Sequence, residues 1–233
     1  MRPRILVNCL LADAASIRTQ VAYCDPLQAA GGLPLIAPAF TDPATAGQAL
    51  DAVAGVLFIG GPDYHPEAYG GREQPPDQLM DRRRHDADLL LAGEVLRRRL
   101  PVLGICGGHQ LLVIASGGAL IQDIPTDLPG ALAHAAPTGP PCQHAITVTA
   151  GSRLHGLVGP SLTVNSFHHQ AARPDRTGGL HVSALAPDGV VEAAEDPGHP
   201  FLVGVQWHPE RMDVAASRAL FAGLVDAARL HGG

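Results

Sequence analysis

The chain has 233 residues, of which 46% are hydrophobic and 16% are charged. A globular chain of this length buries roughly 70–75% of its extended surface, so a full core is available. The high hydrophobic fraction and low charged fraction exclude intrinsic disorder. The formal net charge of −6 gives no electrostatic reason to expect binding to nucleic acid or to a membrane. All 16 residues counted as Lys or Arg are Arg, which excludes the catalytic lysine of Schiff-base chemistry and the phosphate-binding lysine of a P-loop.

Two Arg residues and an apolar stretch open the chain, as they do in a signal peptide. Asn8 and Asp13 interrupt the stretch, so we predict a first buried strand over residues 5–7 instead. The sequence has no apolar run near the ~20 residues of a transmembrane helix. We therefore expect a soluble, cytoplasmic protein.

Four short apolar runs in the first half predict β-strands, because strands buried on both faces of a parallel sheet are continuously apolar rather than alternating. They cover residues 5–7, 33–36, 55–59 and 101–105. Three segments between them predict helices. These are a short helix that begins at Asp25-Pro26 and ends at Gly31-Gly32, a second over residues 41–53, and a third over residues 80–99 with Arg at its C-terminal end.

The second half has a different pattern. Residues 126–141 are rich in Pro, Gly and Ala and predict a loop. Shorter segments then predict strands over 144–149, 162–164, 180–185, 190–194 and 202–205, separated by turns such as Asp188-Gly189 and Pro197-Gly198, and a final helix over 213–230. The order indicates one α/β domain over residues 1–233, with an open, mainly parallel sheet flanked by helices and an antiparallel extension in the C-terminal half.

Cys106 lies where a predicted strand ends and a helix begins, in the segment GICGG over residues 104–108. Glycines around a nucleophile at such a turn relieve crowding in a strained backbone. A helix N-terminus favours the thiolate, which is the nucleophilic form of cysteine, and the N–H of Gly107 would face a developing oxyanion. We predict that Cys106 is a nucleophile, whereas the other three cysteines lack this setting.

A nucleophilic cysteine needs a base, and the base needs a group that orients it. The predicted strand over residues 202–205 ends shortly before His208, which is followed by Pro209 and Glu210. Two residues away, the carboxylate can reach the far nitrogen of the imidazole and fix its tautomer, while Pro209 restricts the backbone between them. We predict that His208 is the base and that Glu210 orients it.

The segments GICGGHQ (104–110) and GVQWHPE (204–210) together resemble the class I glutamine amidotransferase superfamily. GGPDYHPEAYG (60–70), VNSFHHQAA (164–172) and APDGVVEAAE (186–195) are similar to its gamma-glutamyl-gamma-aminobutyrate hydrolase branch, of the peptidase family C26 type. The resemblance extends over essentially the whole chain, and it implies a flavodoxin-like sheet and a Cys–His–Glu triad.

Carried over by position, the resemblance implies Cys106 as nucleophile, His208 as general base and acid, and Glu210 as orienting group. It implies an oxyanion hole made by the backbone N–H groups of Gly61 and Gly107. It also implies a set of residues that hold the α-amino and α-carboxylate end of a glutamyl group: Gln110, Asn165, Ser166 and Phe167. Two positions depart from the branch. The residue after the nucleophile is often Arg in the branch but is Gly107 here, and the residue after Arg84 is usually Asp but is His85 here.

The adjacent residues His168 and His169 suggest a metal pair. Neighbouring residues in an extended segment point in opposite directions, however, and no carboxylate or Cys completes a site, so we predict no metal and no cofactor. The basic runs at residues 82–84 and 97–99 are interpreted as solvated faces or helix-end charges. Trp207 is interpreted as a packing residue, and His109 as a cap of the helix after Cys106.

These observations favour a freestanding cysteine hydrolase that cleaves the γ-glutamyl amide of a small amine or amino acid, such as an aminobutyrate or polyamine derivative, through a thioester. The expected partner is this small-molecule substrate, and a homo-oligomer stays open. Two alternatives also stay open: a glutaminase subunit that delivers ammonia to a synthase, and a non-catalytic binding protein on the same fold.

Overall fold

The computed structural model describes residues 1–9, 14–75, 78–136 and 141–232. The strands are β1 (Arg4–Asn8), β2 (Leu33–Ala37), β3 (Gly55–Phe58), β4 (Val102–Ile105), β5 (Leu120–Ile121), β6 (Cys142–Val148), β7 (Ser161–Ser166), β8 (Ala171–Ala172), β9 (His181–Leu185), β10 (Val191–Glu195) and β11 (Leu202–Val205). The helices are α1 (Ala14–Ala29), α2 (Pro43–Asp51), α3 (Arg82–Arg98), α4 (Gly107–Ala115), α5 (Ile124–Asp127), α6 (Arg153–Val158) and α7 (Ala215–His231).

One continuous sheet organises these elements, with the strand order β2-β1-β3-β4-β11-β10-β9-β6-β7. The first five strands are parallel, and each later strand pairs antiparallel with its neighbour. Beside this path, the short strand β8 pairs antiparallel with β10, and β5 pairs antiparallel with β8. The predicted fold class is therefore confirmed, with a flavodoxin-like parallel half and an antiparallel C-terminal extension.

Helices cover both faces of the parallel half. Apolar side chains of α1 and α7 pack against one face, and those of α2, α3 and α4 pack against the other. This arrangement explains why β1, β3, β4 and β11 are almost entirely buried apolar segments, as the sequence predicted.

The first helix is longer than predicted. The sequence suggested that it begins at Asp25, but α1 already begins at Ala14 and contains Pro26 in its interior. Tyr23 and Leu27 lie four residues apart on one face of α1 and are both buried, so the packing of this face continues across the proline. Tertiary contacts thus outweigh the local signal that Pro26 usually gives for a helix start.

Strand β2 also differs from the prediction. Its apolar sequence suggested burial on both faces, but β2 is an edge strand in which Leu33, Leu35 and Ile36 are all exposed. Pro34 fits this position, because a proline cannot donate to a second neighbouring strand. The proline was therefore a better guide to the place of this strand than its hydrophobicity.

The remaining predictions need small adjustments. Residues 124–127 form the single helical turn α5, so the predicted loop over 126–141 begins slightly later, and its residues 137–140 lie outside the described residues. The turns at Asp188-Gly189 and Pro197-Gly198 do connect antiparallel strands, β9 to β10 and β10 to β11.

The close approach of α4 to the sheet gives a stability prediction. A Cβ placed on Gly108 would collide with the backbone oxygen of Phe58, whereas a Cβ placed on Gly93 in α3 would meet no atom within 4 Å. We expect Gly108→Ala to destabilise the protein by roughly 1–3 kcal/mol or more, and Gly93→Ala to stabilise it by about 0.5–1 kcal/mol. Urea unfolding measures both; equal effects would contradict the packing described.

Candidate active site

The candidate site lies at the carboxyl edge of the parallel strands. Gly60 follows β3, Cys106 follows β4 and His208 follows β11, and these three strands are neighbours in the sheet. In open α/β sheets this edge is where ligands bind, because loops from parallel neighbours converge there. Three segments that are distant in the chain therefore meet at one place.

Cys106 occupies a strained turn between β4 and α4. Its φ of 53° places it in a region that side chains rarely adopt, and in the described part of the chain only Arg99 shares a positive φ among non-glycine residues. Two glycines permit the turn, since a Cβ on Gly104 would lie 2.5 Å from the backbone oxygen of Gly108. This geometry matches the predicted nucleophile elbow.

His208 and Glu210 are paired as predicted. Nδ1 of His208 lies 2.7 Å from Oε1 of Glu210, whose carboxylate is completely buried. The hydroxyl of Tyr23 lies 3.4 Å from the same Nδ1 and accepts a hydrogen bond from the N–H of Gly60. Because α1 extends further back than predicted, it carries Tyr23 into this site, and the sequence gave no signal for that residue.

The protonation of His208 follows from its surroundings. Burial disfavours the charged imidazolium, but interactions with Cys106 and with Glu210 outweigh burial and raise the pKa of His208 to about 10. The nitrogen that faces Glu210 carries a hydrogen, because an ionised carboxylate only accepts hydrogen bonds. These surroundings therefore favour the protonated form of His208.

Asn165 fixes the backbone of His208. Its side-chain Nδ2 donates to the carbonyl oxygen of His208 at 2.9 Å, and its Oδ1 accepts from the His208 N–H at 2.8 Å. The hydroxyl of Ser166 is buried and donates to the carbonyl oxygen of His134. Both side chains are thus occupied inside the protein, and of the predicted loop only Phe167 is exposed. Contact of this loop with a substrate stays a prediction.

The predicted oxyanion donors lie close together. A Cβ on Gly107 would be 3.2 Å from the backbone nitrogen of Gly61, and a Cβ on Gly60 would be 3.4 Å from the Cβ of Cys106. The turn at Gly60-Gly61 therefore packs directly against the elbow. An oxyanion hole made by the backbone N–H groups of Gly61 and Gly107 stays a prediction.

Arg84 supports this glycine turn, which corrects its interpretation as part of a solvated face, whereas Arg82 and Arg83 are exposed as predicted. Its Nη2 donates to the carbonyl oxygen of Gly60 at 2.9 Å, and its Nε pairs with the buried Asp88. Asp88 also accepts hydrogen bonds from Asn8 and Tyr64. A helix-spaced Arg and Asp, four residues apart, was the available sequence signal for this pair.

Gln110 is connected to the sulfur of Cys106 through Gln206. Its Nε2 is 3.2 Å from the carbonyl oxygen of Gln170 and 3.4 Å from Oε1 of Gln206, and Gln206 in turn contacts Sγ of Cys106 at 3.7 Å. Gln110 is buried, and a role in holding a glutamyl group stays a prediction. Trp207 is fully buried in the core, which confirms its interpretation as a packing residue.

Histidines elsewhere require corrections. His168 and His169 do point in opposite directions, and His169 faces Asp63 and Asp123. His168, however, joins His134, His144 and Glu192 in one buried group. The expectation that no carboxylate completes a site with His168 was therefore wrong. His109 is fully buried inside α4, where burial lowers its pKa to about 4, so it does not cap the helix.

Comparison with known proteins agrees with this geometry. The family model of peptidase C26 matches residues 9–210. The chain belongs to the peptidase C26 family. It is 39% identical to a Mycobacterium tuberculosis protein provisionally named glutamine amidotransferase, covering 91% of this chain and 68% of the relative. It is 35% identical to the gamma-glutamyl-gamma-aminobutyrate hydrolase of Escherichia coli K12, covering 95% of this chain and 90% of the relative.

Solved structures show the same fold at low sequence identity. The glutaminase domain of Trypanosoma brucei CTPS superposes with a TM-score of 0.69 and 17% identity, covering 99% of this chain and 94% of that chain. These matches place the chain in the class I glutamine amidotransferase superfamily and support a hydrolase of this type. None of its helices within the described residues is long and apolar enough to cross a membrane.

The two departures from the C26 branch have distinct surroundings here. Nδ1 of the buried His85 accepts a hydrogen bond from the N–H of His65 at 3.2 Å, and burial lowers the pKa of His85. A Cβ on Gly107 would crowd the backbone nitrogen of Gly61 at 3.2 Å. Neither departure disturbs the pairing of His208 with Glu210.

The link between Cys106 and His208 is open to a direct test in this C26 chain. Since Cys106 is one cause of the raised pKa of His208, we expect Cys106→Ala to lower that pKa. A pH titration by NMR of the imidazole Cε1–H signals measures it, with His208→Gln to assign the signal and the exposed His181 as an internal reference. An unchanged titration of His208 in the alanine variant would mean that the two side chains do not interact.

Proposed function

We propose that the chain is a cysteine hydrolase that cleaves the γ-glutamyl amide bond of a small γ-glutamyl amine or amino acid and releases glutamate. The observation that carries the proposal is the meeting of Cys106 with the paired His208 and Glu210 at one edge of the sheet. The 35% identity to the gamma-glutamyl-gamma-aminobutyrate hydrolase of E. coli supports the substrate class.

In the first step, the thiolate of Cys106, whose proton His208 has taken up, attacks the γ-carbonyl carbon of the substrate. The carbonyl oxygen gains negative charge as the tetrahedral intermediate forms. We assign its stabilisation to the backbone N–H groups of Gly61 and Gly107, because preorganised amides in a buried site stabilise such charge without reorganisation. Arg84 holds this turn through the carbonyl oxygen of Gly60 and thereby positions one donor.

Collapse of the intermediate breaks the C–N bond and leaves a thioester on Cys106. His208 donates its proton to the departing nitrogen, so that a neutral amine leaves. His208 then accepts a proton from water as the water attacks the thioester; the C–S bond breaks, and glutamate is released with the thiolate of Cys106 restored. Glu210 keeps the imidazole in one orientation throughout, and Asn165 holds its backbone.

The surroundings of His208 favour an amine that carries a carbon chain. The leaving nitrogen must depart next to His208, since His208 protonates it. The Phe167 ring packs edge-on against His208 at 5.5 Å between centroids and is 38% exposed. An alkyl chain on the nitrogen would cover this ring, whereas the ammonia released from glutamine would not. Each methylene so buried contributes about 0.8 kcal/mol.

We therefore predict that the purified chain alone hydrolyses γ-glutamyl-4-aminobutyrate or γ-glutamylputrescine with a kcat/KM at least about tenfold above that for glutamine, which corresponds to about 1.4 kcal/mol. Glutamate release is measured without added protein, nucleotide or metal ion. Phe167→Ala should lower kcat/KM for the substituted amides more than for glutamine and so reduce this preference. Cys106→Ala, prepared in parallel, controls for a contaminating hydrolase and should be inactive.

Other outcomes would assign the site differently. If glutamine is the best substrate, or if turnover appears only with a synthase present, the chain is an ammonia donor, as the provisional name of the M. tuberculosis relative suggests. If wild-type protein turns over none of the amides, the chain is a binding protein on this fold.

The roles of His208 and Glu210 predict different losses. His208→Ala removes the group that moves the proton, whereas Glu210→Gln leaves that group present but poorly oriented. We expect kcat to fall on the order of 10⁵–10⁶-fold for His208→Ala and on the order of 10³–10⁴-fold for Glu210→Gln. His181→Ala, at an exposed histidine of β9, serves as the matched control. A larger loss from Glu210→Gln would reverse the assigned roles.

A further inference from the structure

A second group of chemically reactive side chains lies under the loop that carries Asn165 and Phe167. It consists of His134, His144, His168 and Glu192, all of them buried, and one ligand atom of each lies within 4.8 Å of the others. They come from four separate segments: the loop after α5, strand β6, the loop after β7, and strand β10. None of the four takes part in the reaction proposed above.

The outer nitrogen of each histidine already has an acceptor. Nε2 of His134 lies 2.9 Å from the carboxylate of Asp188. Nδ1 of His168 lies 3.0 Å from the carbonyl oxygen of Gln170, and Nδ1 of His144 lies 3.3 Å from that of Ala145. Because carbonyl and carboxylate oxygens only accept, these nitrogens carry the hydrogens of the neutral rings.

The inner nitrogens consequently present lone pairs to one another and to Glu192. Oε1 of Glu192 lies 3.3 Å from Nδ1 of His134, 3.4 Å from Nε2 of His144 and 3.5 Å from Nε2 of His168. Ser166 does not donate a hydrogen bond to these inner nitrogens, since its hydroxyl donates to the carbonyl oxygen of His134. Both oxygens of Glu192 and the inner nitrogens of His144 and His168 are buried without a hydrogen-bond partner.

Four acceptors that converge in a buried space need positive charge between them, which shared protons or a metal ion can supply. We propose that His134, His144, His168 and Glu192 bind one divalent transition-metal ion, with zinc as the preferred ion. Three imidazole nitrogens and one carboxylate oxygen form a ligand set that suits zinc. In a tetrahedral site with bonds of 2.0–2.1 Å, ligand atoms are about 3.3–3.4 Å apart, close to the three separations from Glu192.

The hydrogen bonds on the outer nitrogens support the same assignment. Histidines that bind metals almost always donate their other N–H to a carboxylate or a carbonyl, which fixes the tautomer and the ring orientation. All three histidines of the group show this feature, with Asp188 as the carboxylate for His134. Four protein ligands leave no open position, which is typical of a structural rather than a catalytic zinc site.

The position of the group indicates what the ion would stabilise. His168 directly follows Phe167, and the N–H of Gln206 donates to the carbonyl oxygen of Glu192. The ion would therefore tie the loop after α5, β6 and β10 to the segment that holds His208 in place. The proposal does not depend on the identity of the substrate.

The first test is the metal content of the full chain, produced without a polyhistidine tag and measured by inductively coupled plasma mass spectrometry. The Cys106→Ala variant is measured alongside, so that Cys106 and His208 cannot hold an adventitious ion. We expect about one zinc ion per chain in both proteins, and in the control His181→Gln. His144→Gln and Glu192→Gln should each retain less than about a tenth of that.

The second test uses the wild-type chain alone and so does not depend on whether the variants fold. After removal of the ion with a chelator, added Co²⁺ should give the visible absorption of a tetrahedral site. Zn²⁺ at about a hundredfold excess over its Kd should raise Tm by roughly 5–10 °C. A folded, stripped chain that binds neither ion, with Tm unchanged, would overturn the proposal and leave a group that shares protons instead.

Discussion

The parallel pairing of β4 with β11 is the contact on which the candidate site depends. Ile105 lies opposite Val205, and the N–H of Cys106 donates to the carbonyl oxygen of Val205 at 2.8 Å. Both strands therefore end at the same level, and the residues after them face each other across the edge of the sheet. A register shift of one residue would turn each side chain to the opposite face of its strand. The backbone pairing thus sets the geometry of Cys106 and His208 before their own side chains interact.

Buried polar contacts then hold the loops around this pair. Arg84 and Asp88 support the glycine turn after β3, and Asn165 clamps the backbone of His208. Buried ion pairs add little net stability, but removing one partner leaves an uncompensated charge and costs about 3–5 kcal/mol. Such pairs favour one arrangement of the loops over others. The site therefore owes its definition in part to side chains other than Cys106, His208 and Glu210.

The histidine and glutamate group extends this support into the antiparallel half of the sheet. Glu192 in β10 is adjacent in space to Gln206 through a backbone hydrogen bond, and Gln206 contacts the sulfur of Cys106. The antiparallel extension is thus connected to the active-site edge on both sides of His208, through Asn165 and through Gln206. This connection gives the extension a role in positioning, beyond the burial of its own apolar residues.

The sequence by itself determined the α/β class and most strand positions, because continuous apolar runs and glycine-containing turns are local features. It also predicted that Cys106, His208 and Glu210 belong together, since their immediate neighbours carry the signal. The tertiary structure decided the rest. Packing of Tyr23 and Leu27 extended α1 across Pro26, the sheet order exposed β2, and burial turned Arg84 from a surface charge into a support of the glycine turn. Glu192 meets three histidines only because four separate segments converge, and no local pattern records a contact between residues so far apart in the chain.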